Sequence, residues 1–91
     1  MEEGLVSTLL KDSIVTVEEF NTVYRDRLEA TVSLFMRSGY DLWTAEDLAQ
    51  EVFILFLRNA TYFKEEKVTS SRKNALYNMW YMSFLLCVSR I

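Results

Sequence analysis

No proline interrupts this chain, and glycine occurs only at positions 4 and 39. Those two residue types end helices and shape tight turns, so a sequence nearly free of them has few places to break. Long helices with few turns follow. A length of 91 residues suffices for one core of three or four such helices, with a modest fraction of the surface buried. The expected class is all-α, a compact three- to four-helix domain.

Local signals place the boundaries. Thr16 and Glu19 form a T-x-x-E capping box, which starts a helix at Val17. Phe20, Tyr24, Leu28, Thr31 and Phe35 recur at helical spacing and make its buried stripe, and Gly39 supplies the left-handed carboxyl cap. Thr44 is the expected start of the second long helix, with Glu46 and Asp47 in a first turn where the helix dipole favours negative charge. A polar loop from Thr61 to Ser71 leads to a third helix near Arg72, capped by Ser70 or Ser71. Residues 1–15 form an amino-terminal segment. Its Met1 to Ser13 portion suits a short amphipathic helix on Leu5, Leu9 and Leu10, which nothing local locks and which is expected to fray. Residues 16–91 make the domain proper.

The segment Thr44 to Phe63, TAEDLAQEVFILFLRNATYF, reads as one helix with two faces. At 100° per residue, Ala45, Leu48, Ala49, Val52, Leu55, Phe56 and Asn59 gather as a core stripe. The other side carries Asp47, Gln50, Glu51, Ile54, Leu57 and Arg58, which puts two large aliphatic residues among charges. Either another part of the chain covers Ile54 and Leu57, or this is a partner-binding face with an apolar centre and a polar rim. Capping accounts for Glu46 and in part for Asp47. Glu51 lies beyond the first turn, so the dipole does not account for it.

The run AEDLAQEVF at Ala45 to Phe53, followed by the aromatic pair Tyr62 and Phe63, resembles the second conserved region of bacterial sigma factors, close to the compact extracytoplasmic-function group. The resemblance covers about Phe20 to Tyr81. It implies a domain like sigma region 2, whose central helix docks on the clamp coiled coil of the RNA polymerase largest subunit. Carried over residue by residue, the polymerase-binding set is Asp47, Gln50, Glu51, Ile54, Leu57 and Arg58.

The resemblance also implies that the loop and third helix take part in minus-ten promoter recognition. Cations steer phosphates and aromatic faces stack unpaired bases. Lys64, Lys67, Arg72 and Lys73 are the implied phosphate contacts, and Tyr77, Trp80 and Tyr81 the implied stacking groups. A solvated loop is the plainer reading of those cations, and core packing the plainer reading of Trp80. Where the family usually continues with arginine and other polar groups, this chain has Met82, Phe84, Leu85 and Leu86. The stretch MWYMSFLLCV is apolar all round, and three helices cannot cover every side of one member, so exposed apolar surface is expected near the carboxyl end.

No helix-turn-helix resembling the family's minus-thirty-five reader precedes Ile91. A fragment, a split factor with a separate region 4 partner, and a diverged relative all fit, and an anti-sigma factor is a further implied partner. The chain has no histidine and a single cysteine, Cys87, so no internal disulfide, metal site or cofactor is expected. Net charge is −3, with Glu2, Glu3, Asp12, Glu18 and Glu19 gathered early and the cations gathered after the central helix. The longest apolar run, Met79 to Val88, is too short to span a bilayer, and a cytoplasmic setting is expected. Adjacent carboxylates such as Glu46 and Asp47 point about 100° apart on a helix and do not converge on a substrate, so no enzyme is expected. The alternative function is a helical interaction or dimerisation module without DNA reading.

Overall fold

The computed structural model describes residues 3–62 and 72–90. Among these residues four helices run in order: α1 (Glu3–Leu9), α2 (Val17–Arg37), α3 (Leu42–Asn59) and α4 (Arg72–Arg90), with one 3₁₀ turn, Ala60–Tyr62, continuing α3. Among the described residues there is no strand, and no helix is long and apolar enough to cross a membrane. The domain is all-α. Phe63, Lys64, Lys67, Ser70 and Ser71, with most of the expected polar loop, lie outside the described residues.

Helix α2 begins and ends on local chemistry. The Glu19 amide donates to Thr16 Oγ1 at 3.1 Å and the Thr16 amide donates to the Glu19 carboxylate at 3.0 Å, closing the capping box. At the other end, the Gly39 amide donates to the Met36 carbonyl at 3.0 Å and the Tyr40 amide to the Phe35 carbonyl at 3.3 Å. That pair of bonds is a Schellman motif, and Gly39 takes the positive φ of 104° that it demands. The Phe35 and Tyr40 rings meet edge to face, 6.1 Å between centroids, as the hydrophobic contact of the motif.

Helix α3 starts earlier than its sequence suggests. The Asp41 carbonyl accepts the Ala45 amide at 2.9 Å, so Asp41 is the N-cap and Thr44 lies in the first turn. Glu46 and Asp47 then fall beyond the first turn, which removes the dipole as their explanation. The Thr44 hydroxyl beside Asp41 holds its carboxyl below the usual range, helped by the first-turn amides, although the carboxylate closes no well-formed cap hydrogen bond.

Helix α3 is the centre of the fold and packs on α1, α2 and α4. Phe20, Tyr24 and Phe53 form one aromatic group, with Tyr24 and Phe53 at 4.8 Å and 67°, and Phe56 joins Phe20 at 5.6 Å. Phe35, Phe84 and Trp80 form a second, with Phe84 at 5.2 Å from Phe35 and stacked at 6.0 Å on Trp80. Each fully buried phenylalanine contributes roughly 1.5–3 kcal/mol of transfer free energy. The stripe expected on α2 is buried at Phe20, Thr31 and Phe35 and half-buried at Tyr24 and Leu28, and Val23 joins it.

The amino-terminal segment is tied down. Val6 and Leu10, one helical turn apart, enter the common core, whereas Leu5 faces solvent. Beyond α1, Ser13 Oγ donates to the Ala60 carbonyl at 2.9 Å and accepts the Val15 amide at 3.0 Å. Val15 is buried, and the Arg72 guanidinium bridges the Ile14 carbonyl and the Glu19 carboxylate. The expectation that nothing locks this segment is corrected by these contacts, which reach the 3₁₀ turn at Ala60 and α4 at Arg72.

Candidate partner-binding face

Burial on α3 spans more than half of its circumference. Ala45, Ala49, Val52, Phe53, Leu55, Phe56 and Leu57 are all buried. A 100° projection leaves a narrower outward stripe made by Trp43, Asp47, Glu51, Ile54 and Arg58. Asp47, Glu51 and Arg58 are exposed on it, and Ile54 is half-buried between them. None of the three charges has an ion-pair partner among the described residues.

Two members of the expected face are corrected. Leu57 is 0% exposed and belongs to the common core rather than to the outward face. Gln50 is half-buried at the α2 edge, where its amide donates to the Tyr24 hydroxyl at 2.9 Å, leaving its carbonyl oxygen as the unused half. Sequence reasoning missed Trp43, which is 79% exposed. It lies four residues before Asp47 on the same stripe, and the signal for it was Asp41 as the true cap, which brings Trp43 inside the helix.

A groove of about 180 Å³ runs beside the stripe, lined by Glu51, Ile54, Leu55 and Arg58 of α3 and by Arg90 of α4. Cys87 lies next to this seam, its thiol directed at the Leu48 carbonyl 3.8 Å away. Burial pushes that thiol's pKa up, and the negative charge of Glu51 adds to the shift. Stripe and groove together therefore present two acids, one aliphatic centre and two arginines, Arg58 of α3 and Arg90 of α4, along one seam of the fold.

The implied nucleic-acid residues are scattered by comparison. Trp80 is a core residue at 7% exposure, its indole N–H donating to Thr31 Oγ1 at 3.0 Å, which corrects its assignment as a stacking group. The Arg72 guanidinium is engaged with Glu19 and with the Ile14 carbonyl. Tyr77 is half-buried and its hydroxyl donates to Asp26; that hydrogen bond, followed by burial, raises the phenol pKa. The Arg27 guanidinium sits 4.7 Å from the Tyr77 centroid and 5.4 Å from that of Trp80, so both rings already hold a cation from α2. Lys73 and Tyr81 remain exposed, with Lys73 Nζ 5.8 Å from the Tyr77 ring. Lys64 and Lys67 lie outside the described residues.

The outer face of α4 carries the apolar surface expected near the carboxyl end, with Tyr81, Met82, Leu85, Leu86 and Val88 all exposed. Comparison with known proteins yields no matching family model, no similar curated protein and no similar solved structure.

Proposed function

We propose that this domain works as a protein-binding module similar to sigma factor region 2, docking on the clamp coiled coil of bacterial RNA polymerase in a cytoplasmic setting. The observation that carries this reading is the outward stripe of α3, where exposed Asp47, Glu51 and Arg58 surround half-buried Ile54 without spending their charges on described neighbours. A coiled coil offers a ridge of alternating charges beside an apolar seam, which such a stripe complements in charge and shape. Gln50 contributes through its carbonyl oxygen, and Trp43 extends the face by one turn. Leu57 is left out because it is buried in this conformation. The same reading makes the domain a binding protein rather than an enzyme.

A contribution to minus-ten DNA is the finer part of the proposal and rests on Lys73 and Tyr81, exposed on α4, together with Lys64 and Lys67. Arg72, Tyr77 and Trp80 act in the fold instead. The second reading, a dimerising helical module, is favoured by the apolar outer face of α4; sedimentation of a monomer at high concentration would count against it.

The deciding experiment is a titration of the chain against a purified clamp coiled coil, with Glu51→Arg in parallel. Saturable binding weakened at least tenfold by the charge reversal is expected, with an unchanged circular dichroism spectrum, since Glu51 is exposed and off the core. Equal binding by the two proteins would place the interface elsewhere.

A further inference from the structure

Helices α2 and α3 leave a groove of about 390 Å³ between them, lined by Leu28, Glu29 and Val32 of α2 and by Glu46 and Gln50 of α3. Leu28 and Val32 are half-buried and packed against the core, and they give the groove an apolar floor. Glu29 and Glu46 are exposed, and neither has an ion-pair partner among the described residues. Gln50 spends its amide N–H on the Tyr24 hydroxyl at 2.9 Å and keeps its carbonyl oxygen as an unused acceptor. Both charges in the groove are negative, and no described cation lines it.

The groove borders the outward stripe of α3. Glu46 precedes Asp47, Gln50 precedes Glu51, and Ile54 stands one turn after Gln50 on nearly the same side of the helix. Exposed Trp43 lies one turn before Glu46 and two before Gln50 along that flank. Glu46 falls beyond the first turn of α3, so the helix dipole gives it no role. A cationic partner group does.

An apolar floor with acids beside it suits one long basic side chain, whose aliphatic stem lies on the floor while its charged head meets the carboxylates. Arginine fits better than lysine. Its planar fork carries five N–H donors, is weakly hydrated and stacks on an indole face such as that of Trp43, whereas an ammonium is a compact and strongly hydrated charge.

We infer that the α2–α3 groove is an arginine-binding site, in which a protein partner docked on α3 seats one arginine, its stem on Leu28 and Val32 and its guanidinium against Glu29, Glu46 and the Gln50 carbonyl. The place of the partner rests on the reading of α3 as the binding face; the guanidinium chemistry of the groove does not.

Two titrations of the full chain separate these parts. The first uses the clamp coiled coil with the double variant Glu29→Gln, Glu46→Gln and with Glu18→Gln as control, an exposed acid at the amino-terminal start of α2. The double variant is expected to bind about tenfold more weakly and with a shallower salt dependence, and the control to change less than about twofold. The second needs no partner: N-acetyl-arginine amide is added while the Gln50 side-chain amide and the Leu28 and Val32 methyls are followed by NMR. Saturable shifts are expected in the unaltered chain, and none in the double variant or with N-acetyl-citrulline amide, the uncharged analogue. Coiled-coil binding that Glu51→Arg abolishes but the double variant leaves within about twofold overturns the groove and keeps the face. Equal weakening by Glu18→Gln, or equal shifts with arginine and citrulline, also overturns the groove. Saturation specific to arginine in a chain that does not bind the coiled coil upholds the groove and overturns the coiled coil as its partner.

Discussion

Replacing Glu19 by alanine removes two interactions that meet at one carboxylate. Glu19 accepts the Thr16 amide in the capping box and pairs with the Arg72 guanidinium, which holds the first turn of α4 against the start of α2. Loss of the reciprocal cap bond costs about 0.5–1 kcal/mol. The ion pair is partly exposed, with 23% of the Glu19 side chain and 30% of the Arg72 side chain accessible, so screening limits it to about 1 kcal/mol. The expected total is about 1.5–2 kcal/mol, a fall in Tm of about 10 °C for a domain this size. Urea denaturation of Glu19→Ala, Arg72→Ala and the double variant closes a cycle whose coupling should be about 0.5–1 kcal/mol. The sign with pH is fixed by the direction of the shift. Arg72, above the other contributors, lowers the Glu19 pKa in the fold, so its contribution is complete above the unfolded glutamate value and disappears as pH falls through the lower folded one. The parent and Glu19→Ala should therefore converge in stability as acid is added below about pH 4. A coupling indistinguishable from zero, with a stability gap equal at pH 7 and pH 3, would refute the account of this carboxylate.

Two further substitutions test the packing. Thr31→Val keeps the shape of a fully buried side chain but leaves the Trp80 indole N–H without its acceptor, and should cost about 1–2 kcal/mol by denaturation followed through tryptophan fluorescence; a change under about 0.5 kcal/mol would mean the bond is not made. Gly39→Ala meets no steric contact, so its cost of about 1–2 kcal/mol should come entirely from the positive φ of the Schellman turn, and a neutral result in thermal unfolding would argue against that backbone conformation.

The positions that sequence reasoning read correctly and those it misread differ in the range of the forces that decide them. The capping box at Thr16 and Glu19 and the turn at Gly39 were legible because hydrogen-bond partners within a few residues specify them. Even among local signals, competition decides. Asp41 and Thr44 both suit a helix cap, and the turn after Gly39 leaves the extended backbone to Asp41. The outward stripe at Asp47, Glu51, Ile54 and Arg58 was visible as a period of 3.6 residues, but the same period cannot tell whether an aliphatic residue at its edge is covered.

By itself, then, the sequence determined an all-α domain, its two long central helices, both caps of α2 and the stripe of charges on α3, since helical periodicity and capping are properties of neighbouring residues. Only tertiary structure decided that Leu57 is buried, that Trp80 bonds to Thr31 and that Arg72 serves Glu19 and Ile14. Trp80 reaches Thr31 across 49 positions, and Arg72 reaches Glu19 and Ile14 across 53 and 58, separations at which the meeting of helix faces decides and no local pattern does.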